Sequence, residues 1–140
     1  RFRLSGAFSK HEFINYVEKG VAYNGNEMNN APRWLYNAEI WYKPSYAKGL
    51  RVGAEVQHVG RYFADPQNTA TYNGYSVLNL RAGYRFGGVD VWVNVLNATN
   101  HYYSYITTKS SFGYSYQLAE PRNVNLGVSY DFVNLFKTTK

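Results

Sequence analysis

The chain alternates. In "NVNLGVSYDF", Asn123 to Phe132, the even positions Val124, Leu126, Val128, Tyr130 and Phe132 are apolar or aromatic, and the odd ones are Asn, Gly, Ser or Asp. Successive side chains of a strand point to opposite faces, so this segment has one greasy side and one wet side. The same period of two predicts five more strands upstream. The first runs from about Phe2 to Val17, with Phe2, Leu4 and Phe8 against Arg3, Ser5 and Ser9. The second, Arg33 to Lys43, sets Trp34, Tyr36, Ala38, Ile40 and Tyr42 against Asn37, Glu39 and Lys43. The third, Leu50 to Tyr62, sets Leu50, Val52, Ala54 and Val56 against Arg51, Glu55, Gln57 and Arg61. The fourth, Ser76 to Phe86, sets Leu78, Leu80, Ala82, Tyr84 and Phe86 against Asn79, Arg81 and Arg85. The fifth, Val89 to about Asn97, sets Val89, Val91, Val93 and Val95 against Asp90 and Asn94. No stretch holds a helical period for long, so the expected fold class is all-β and antiparallel.

The connections alternate as well. Residues 18–31, 63–75 and about 98–121 are long, whereas 44–49 is short and Gly87-Gly88 is a two-residue hairpin turn of the kind glycine permits. One end of the sheet should therefore carry extended loops and the other tight turns. All four prolines fall in connections or at strand starts, where no ladder donor is lost.

An antiparallel soluble sandwich alternates too, and a secreted Tyr-rich sandwich is the rival architecture. Three features favour lipid against the apolar side. Several predicted strands sustain about ten residues, the span of a tilted membrane strand, where soluble strands average about five to six. Aromatics gather toward strand ends on the apolar side, namely Trp34, Tyr36, Tyr42, Tyr62, Tyr84, Phe86, Tyr130 and Phe132, while Ala38, Ala54, Val56, Ala82 and Val128 occupy the middles. That is the arrangement of an aromatic girdle around a hydrocarbon band. The charges keep parity: Arg51, Glu55 and Arg61 share one face, as do Arg81 and Arg85. A Lys or Arg aimed at mid-bilayer costs about 2–4 kcal/mol, whereas a polar lumen accepts both signs.

Composition agrees. Aromatics make up 19% of the 140 residues and charged residues 17%, yet mean hydropathy is −0.47, so the apolar content is dispersed among polar residues. No run approaches the roughly 18 to 20 consecutive apolar residues of a membrane helix. The net charge of +6 is spread along the chain with no Lys/Arg cluster, which argues against nucleic acid as a partner. The absence of cysteine excludes a disulfide framework and thiol-ligated metals. The start, "RFRLSGAFSK", has no initiator Met and no signal-peptide pattern and already reads as mid-strand sequence, which predicts a piece of a longer polypeptide. Six strands are also too few, since the smallest single-chain barrels have about eight. The remaining wall is expected from sequence outside this chain or from other copies of it.

Four segments then resemble TonB-dependent outer-membrane receptors. "VWVNVLNATNHYYSY" is similar to the family's penultimate strand and its Asn-Leu-x-Asp-x-x-Tyr-like ending, with Asn97, Asn100, Tyr102 and Tyr103 in those places. "EPRNVNLGVSYDF" resembles the closing strand, and "GNEMNNAPRWLYNAEIWYKP" and "GYSVLNLRAGYRF" resemble a loop-to-strand entry and an inner strand. The resemblance implies the last six strands, residues 1–132, of a barrel of about 22 strands plugged by an N-terminal domain. It further implies a bacterial outer-membrane location, capture of a scarce metal chelate (most often a ferric siderophore) and import energised by the TonB complex. Outer-membrane lipid and lipopolysaccharide and the barrel-assembly machinery would be its other partners, and no intrinsic cofactor is expected. The long loops would face outward and the tight turns the periplasm. In the family the chain usually ends on the final aromatic, part of the assembly signal. Here 133–140 follow as a short extension, so the signal is Phe132 or Phe136. A passive porin or adhesin barrel is the alternative within the membrane.

Few residues suggest chemistry. His11, His58 and His101 lie on separate segments without ligand spacing, so no metal site is expected, and no nucleophile-elbow motif supports a hydrolase. No catalytic residue is assigned. "Asn97-Ala98-Thr99" fits a glycosylation sequon, a match taken as accidental in a bacterial outer membrane. In the last long loop, Tyr102, Tyr103, Tyr105, Tyr114 and Tyr116 offer flat faces and hydroxyls to an aromatic or hydroxamate chelate. Tyr102 to Tyr105 read as an extension of the fifth strand into the girdle, which leaves Tyr114 and Tyr116 as the better ligand candidates. The lumenal Arg51, Arg61, Arg81 and Arg85 either attract an anionic chelate or pair with plug carboxylates and with Glu39, Glu55 and Asp90. The second is favoured, because a filled barrel must satisfy its wall charges.

Overall fold

The computed structural model describes residues 1–132, so Phe136 and the 133–140 extension lie outside the described residues. In chain order the strands are β1 (Phe2–Phe8), β2 (Val17–Glu18), β3 (Val21–Ala22), β4 (Trp34–Tyr42), β5 (Leu50–Val59), β6 (Tyr62–Phe63), β7 (Thr71–Tyr72), β8 (Tyr75–Phe86), β9 (Val89–Leu96), β10 (Ser104–Ser110), β11 (Gly113–Leu118) and β12 (Asn123–Tyr130). The six long predicted strands form one sheet in the order β1-β4-β5-β8-β9-β12, so each pairs with its predecessor in the predicted series, antiparallel throughout. The three short pairs β2–β3, β6–β7 and β10–β11 all lie in the long loops at one end.

The register keeps the two faces separate across the whole sheet. Opposite one another on the apolar face stand Phe2, Ile40, Ala54, Leu80, Val95 and Val124, and in the next row Tyr42, Val52, Ala82, Val93 and Leu126. Nothing among the described residues covers this face: Leu126 is 78% exposed, Val128 71% and Leu4 65%. A sandwich would bury these residues under a second sheet, and no such layer exists among the described residues. Burial is concentrated instead under the long loops, at Tyr62, Ala64, Asp65, Ala70, Asn97, Ser104 and Thr107. The aromatic rings cap both ends of the bare face, with Phe8 and Trp34 at the long-loop end, ring centroids 4.5 Å apart. At the tight-turn end are Tyr42, the pair Tyr84 and Phe86 at 5.7 Å, and Tyr130 edge-on to Phe132 at 4.8 Å.

The polar face carries the ion pairs. Arg81 reaches Glu55 at 2.7 Å and Glu39 at 3.8 Å, and Arg51 pairs with Asp90 at 2.8 Å. Large side chains lie flat over glycines here. An added Cβ on Gly127 would fall 2.2 Å from the Trp92 ring, and one on Gly53 2.8 Å from Trp41. Each glycine makes room for the indole opposite it in the register. Gly127→Val is therefore expected to lose about 1–3 kcal/mol through overpacking, read as a lower urea midpoint of the full barrel, and Trp92→Leu should restore much of it.

Several predicted boundaries are corrected. The first strand ends at Phe8, not Val17, because β1 pairs only as far as Trp34 and the ladder closes with Ser9 N donating to Arg33 O at 3.0 Å. The third ends at Val59, where Gly60 N donates to Trp34 O, so strand parity does not extend to Arg61 or Tyr62. Arg61 stands exposed beyond the wall, apart from the pairs of Arg51 and Arg81, and Tyr62 is buried at 5% exposure rather than part of the outer girdle. The fifth ends at Leu96, because Asn97 takes a left-handed φ of 48° and turns the chain out of the sheet. Tyr102 to Tyr105 therefore do not extend it.

Candidate functional site: a tyrosine pocket under interlocked loops

The long loops hold one another through side-chain amides and tyrosine hydroxyls. Asn68 Nδ2 donates to Glu27 O at 2.8 Å and its Oδ1 accepts from Glu27 N at 2.7 Å, while Asn26 Nδ2 donates to Pro66 O at 2.8 Å. Asp65 accepts from the backbone N–H groups of Thr69 and Ala70, both at 3.0 Å, closing the turn between β6 and β7. The β10–β11 hairpin docks on that turn. Thr107 N donates to Tyr62 Oη at 3.1 Å, Ser104 N to Tyr72 Oη at 2.9 Å, and Lys109 N to Ala64 O at 2.8 Å. Nearby, the Arg33 guanidinium hydrogen-bonds Glu27 and holds its carboxyl below the usual range.

Docking the hairpin brings Tyr103 back over the polar face. Its ring centroid lies 4.2 Å from Tyr75 and 5.5 Å from Tyr105, the latter edge-on at 82°. Both distances are within the range of favourable aromatic pairs. Tyr103 and Tyr105 line a pocket of about 230 Å³ whose floor is Gln57, Asn79 and Arg81 and whose rim includes Glu120. Burial, reinforced by the Tyr105 hydroxyl, pushes the Tyr103 hydroxyl pKa up. A tyrosine is in any case protonated at neutral pH, so Tyr103 presents a neutral hydroxyl to the pocket.

The other sequence-predicted candidates fall elsewhere. Tyr114 and Tyr116 stack on each other at 5.9 Å on β11, with Lys109 Nζ 5.7 Å from the Tyr114 ring, and do not line the tyrosine pocket. Arg51, Arg81, Glu39 and Glu55 share the polar face, and Arg85 is exposed at its tight-turn end, opposite Asp90 in the register. His58 faces the apolar side, stacked on Tyr36 at 4.4 Å and hydrogen-bonded to Ser76 at 2.8 Å. Sequence reasoning did not single out Tyr72 or Tyr75, gave Gln57 and Asn79 only their polar parity, and read Tyr62 as a girdle aromatic. It noted Asn97 for the family-like strand ending and the sequon but for no role in a pocket.

Comparison with known proteins supplies the family. The family described as "TonB dependent receptor-like, beta-barrel" matches residues 1–100. The ferrioxamine B receptor of Salmonella typhimurium (strain LT2) is 28% identical over 137 residues, covering 93% of this chain and 19% of that receptor. The ferrioxamine receptor of Yersinia enterocolitica is 30% identical over 128 residues, covering 84% and 17%. Among solved structures, the siderophore receptor PiuA from Acinetobacter baumannii aligns with a TM-score of 0.70 at 22% identity over 92% of this chain and 19% of PiuA. The ferric yersiniabactin uptake receptor FyuA from Yersinia pestis aligns at 0.65 and 19% identity, over 91% and 20%. At those identities the two structures speak for the fold, and the chain spans about a fifth of the length of each relative. With lipid-length strands, a bare apolar face and a charged inner face, the chain belongs to the TonB-dependent receptor family, as part of the outer-membrane β-barrel of a Gram-negative bacterium.

Proposed function

We propose that the receptor whose wall includes this chain captures a ferric siderophore and imports it with energy delivered by the TonB complex. The chelate is cargo and undergoes no bond-making step. The observation that carries the reading is the pocket lined by Tyr103, Tyr105, Gln57 and Asn79, in which the two tyrosines offer neutral hydroxyls and flat rings on the lumenal side, above the wall charges. Its cation, Arg81, is engaged by Glu55 and Glu39, and Glu120 stands on the rim. Such a lining suits a neutral or cationic hydroxamate chelate over a highly charged anion, in keeping with the ferrioxamine named for two relatives.

The rest of the receptor follows from what an open sheet lacks. β1 and β12 are the two edges, and each bare backbone group in hydrocarbon costs several kcal/mol. Further strands would close them into a wall of about 22, around a plug that contacts TonB. Trp34, Tyr42, Tyr84, Phe86 and Tyr130 would meet lipid and lipopolysaccharide at the two interfaces, and Phe132 would be read by the assembly machinery.

The test uses the full receptor in cells with and without TonB, fed radiolabelled ferrioxamine B. Uptake should require TonB. Replacing both Tyr103 and Tyr105 by Ala should weaken binding about 10- to 100-fold, as expected from losing ring contacts of about 0.5–1.5 kcal/mol and hydrogen bonds of similar worth. Unchanged affinity in the double variant would remove the pocket from the binding site.

A further inference from the structure

The floor of the tyrosine pocket and the neck of the loop above it are joined by one chain of hydrogen bonds. Asn79, 6% exposed on β8, donates its Nδ2 to Glu55 Oε2 at 3.3 Å and accepts at Oδ1 from Asn97 N at 3.0 Å. Asn97, 3% exposed, donates its Nδ2 to His101 O at 2.9 Å and Glu120 O at 3.2 Å, and its Oδ1 accepts from His101 N at 2.9 Å. One side chain thus clamps both ends of the loop that carries Tyr103 and Tyr105. At the other end of the chain, Glu55 is also held by Asn37 at 2.6 Å, Gln57 at 3.2 Å and Arg81 at 2.7 Å.

We propose that Asn97 and Asn79 are positioning residues that couple the tyrosine pocket to the Glu55–Arg81 cluster on the lumenal wall. Whatever engages that cluster from inside the barrel then sets the affinity for the chelate. The proposal rests on the reading that this pocket receives the chelate. The physical argument is the double duty of the Asn79 amide. Its donor follows Glu55 and its acceptor holds Asn97, so a rotation that keeps one bond surrenders the other. Both amides are nearly dry, so water is poorly placed to replace the lost bond. The backbone bond from Ala98 N to Leu78 O, 2.7 Å, and the bond from Arg122 N to the Asn100 side-chain Oδ1, 2.9 Å, do not involve the Asn79 or Asn97 side chains and keep the neck attached when those are altered. Coupling of this kind is reciprocal: what the wall does to the pocket, a ligand in the pocket does to the wall.

The experiment uses the full receptor in detergent, with folding checked by heat-modifiable gel migration. Asn97→Gly deletes the clamp yet tolerates the left-handed backbone at this position. It should weaken ferrioxamine B binding about tenfold, within the usual span of coupling between sites. Glu55→Gln should weaken binding about fivefold in the wild-type background and clearly less in Asn79→Ala, the remainder being what Glu55 transmits through Gln57 and Arg81. Independent, multiplicative effects of Glu55→Gln and Asn79→Ala would overturn the coupling. A second readout needs no ligand. The His101 and Ser104 amides should exchange hydrogen about tenfold faster in Asn97→Gly and in Asn79→Ala, while those of β8 and β9 keep their protection. Unchanged exchange at His101 and Ser104 would overturn the proposal. If the tyrosine variants bind ferrioxamine B normally, the pocket reading fails, and the exchange measurements still decide the coupling.

Discussion

In the full receptor, Val128→Arg should all but abolish recovery of folded barrel, while Ser129→Arg should leave it near wild type. The two positions are adjacent on β12 and opposite in facing. Val128 stands across from Val91 in an apolar row and is 71% exposed with no protein layer over it. An Arg there meets hydrocarbon, at a cost of about 2–4 kcal/mol at the bilayer middle that falls toward the girdle at Tyr84 and Tyr130. Ser129 stands across from Asp90 on the polar face, where an added cation gains a carboxylate neighbour. Heat-modifiable migration and urea titration in lipid vesicles read the difference. Equal losses would mean that the apolar face does not contact lipid, and the outer-membrane assignment of the two faces would fall.

Arg81→Met should produce the second large loss. Glu39 and Glu55 are direct cross-strand neighbours, an arrangement that repels, and Arg81 from the next strand bridges them at 3.8 and 2.7 Å. Removing one partner of a fully buried ion pair costs about 3–5 kcal/mol. These side chains keep 30%, 16% and 11% of their surface, so solvent screening lowers the expectation to about 1–3 kcal/mol. Arg81→Lys, which keeps the charge and loses the fork, should fall in between. Adding Glu39→Gln to Arg81→Met should recover part of the loss, and a double variant no more stable than Arg81→Met would show that the two carboxylates do not repel.

The relation between the sequence and this structure differs from one region to another. β9 and β12 were legible almost to the residue, because a strand exposed on one side to lipid and on the other to a polar lumen must alternate strictly. The hairpin turn at Gly87-Gly88 was legible too, with both glycines at positive φ. Tyr103 was not. Its facing depends on how the chain leaves β9 at Asn97, and an Asn in a left-handed turn looks like any other polar residue in a string. Arg61 was misplaced for a related reason: it keeps the parity of Arg51 and Glu55, but Gly60 ends the ladder before it. Tyr62 and Tyr72 could not be told from girdle aromatics, since their hydroxyls take meaning only from backbone donors 45 and 32 residues away.

By itself, the sequence determined the strand series, the antiparallel order, the two faces and the family. The first three depend on the two-residue period and on turn chemistry, which are local properties of a chain, and the family on the resemblance of four segments to known receptors. Only the tertiary structure decided which tyrosines gather over the lumenal charges, which polar residues bridge wall to loop, and where the buried interior lies. Those depend on contacts between segments far apart in sequence, and hydrogen bonds between such segments leave no periodic mark along the chain.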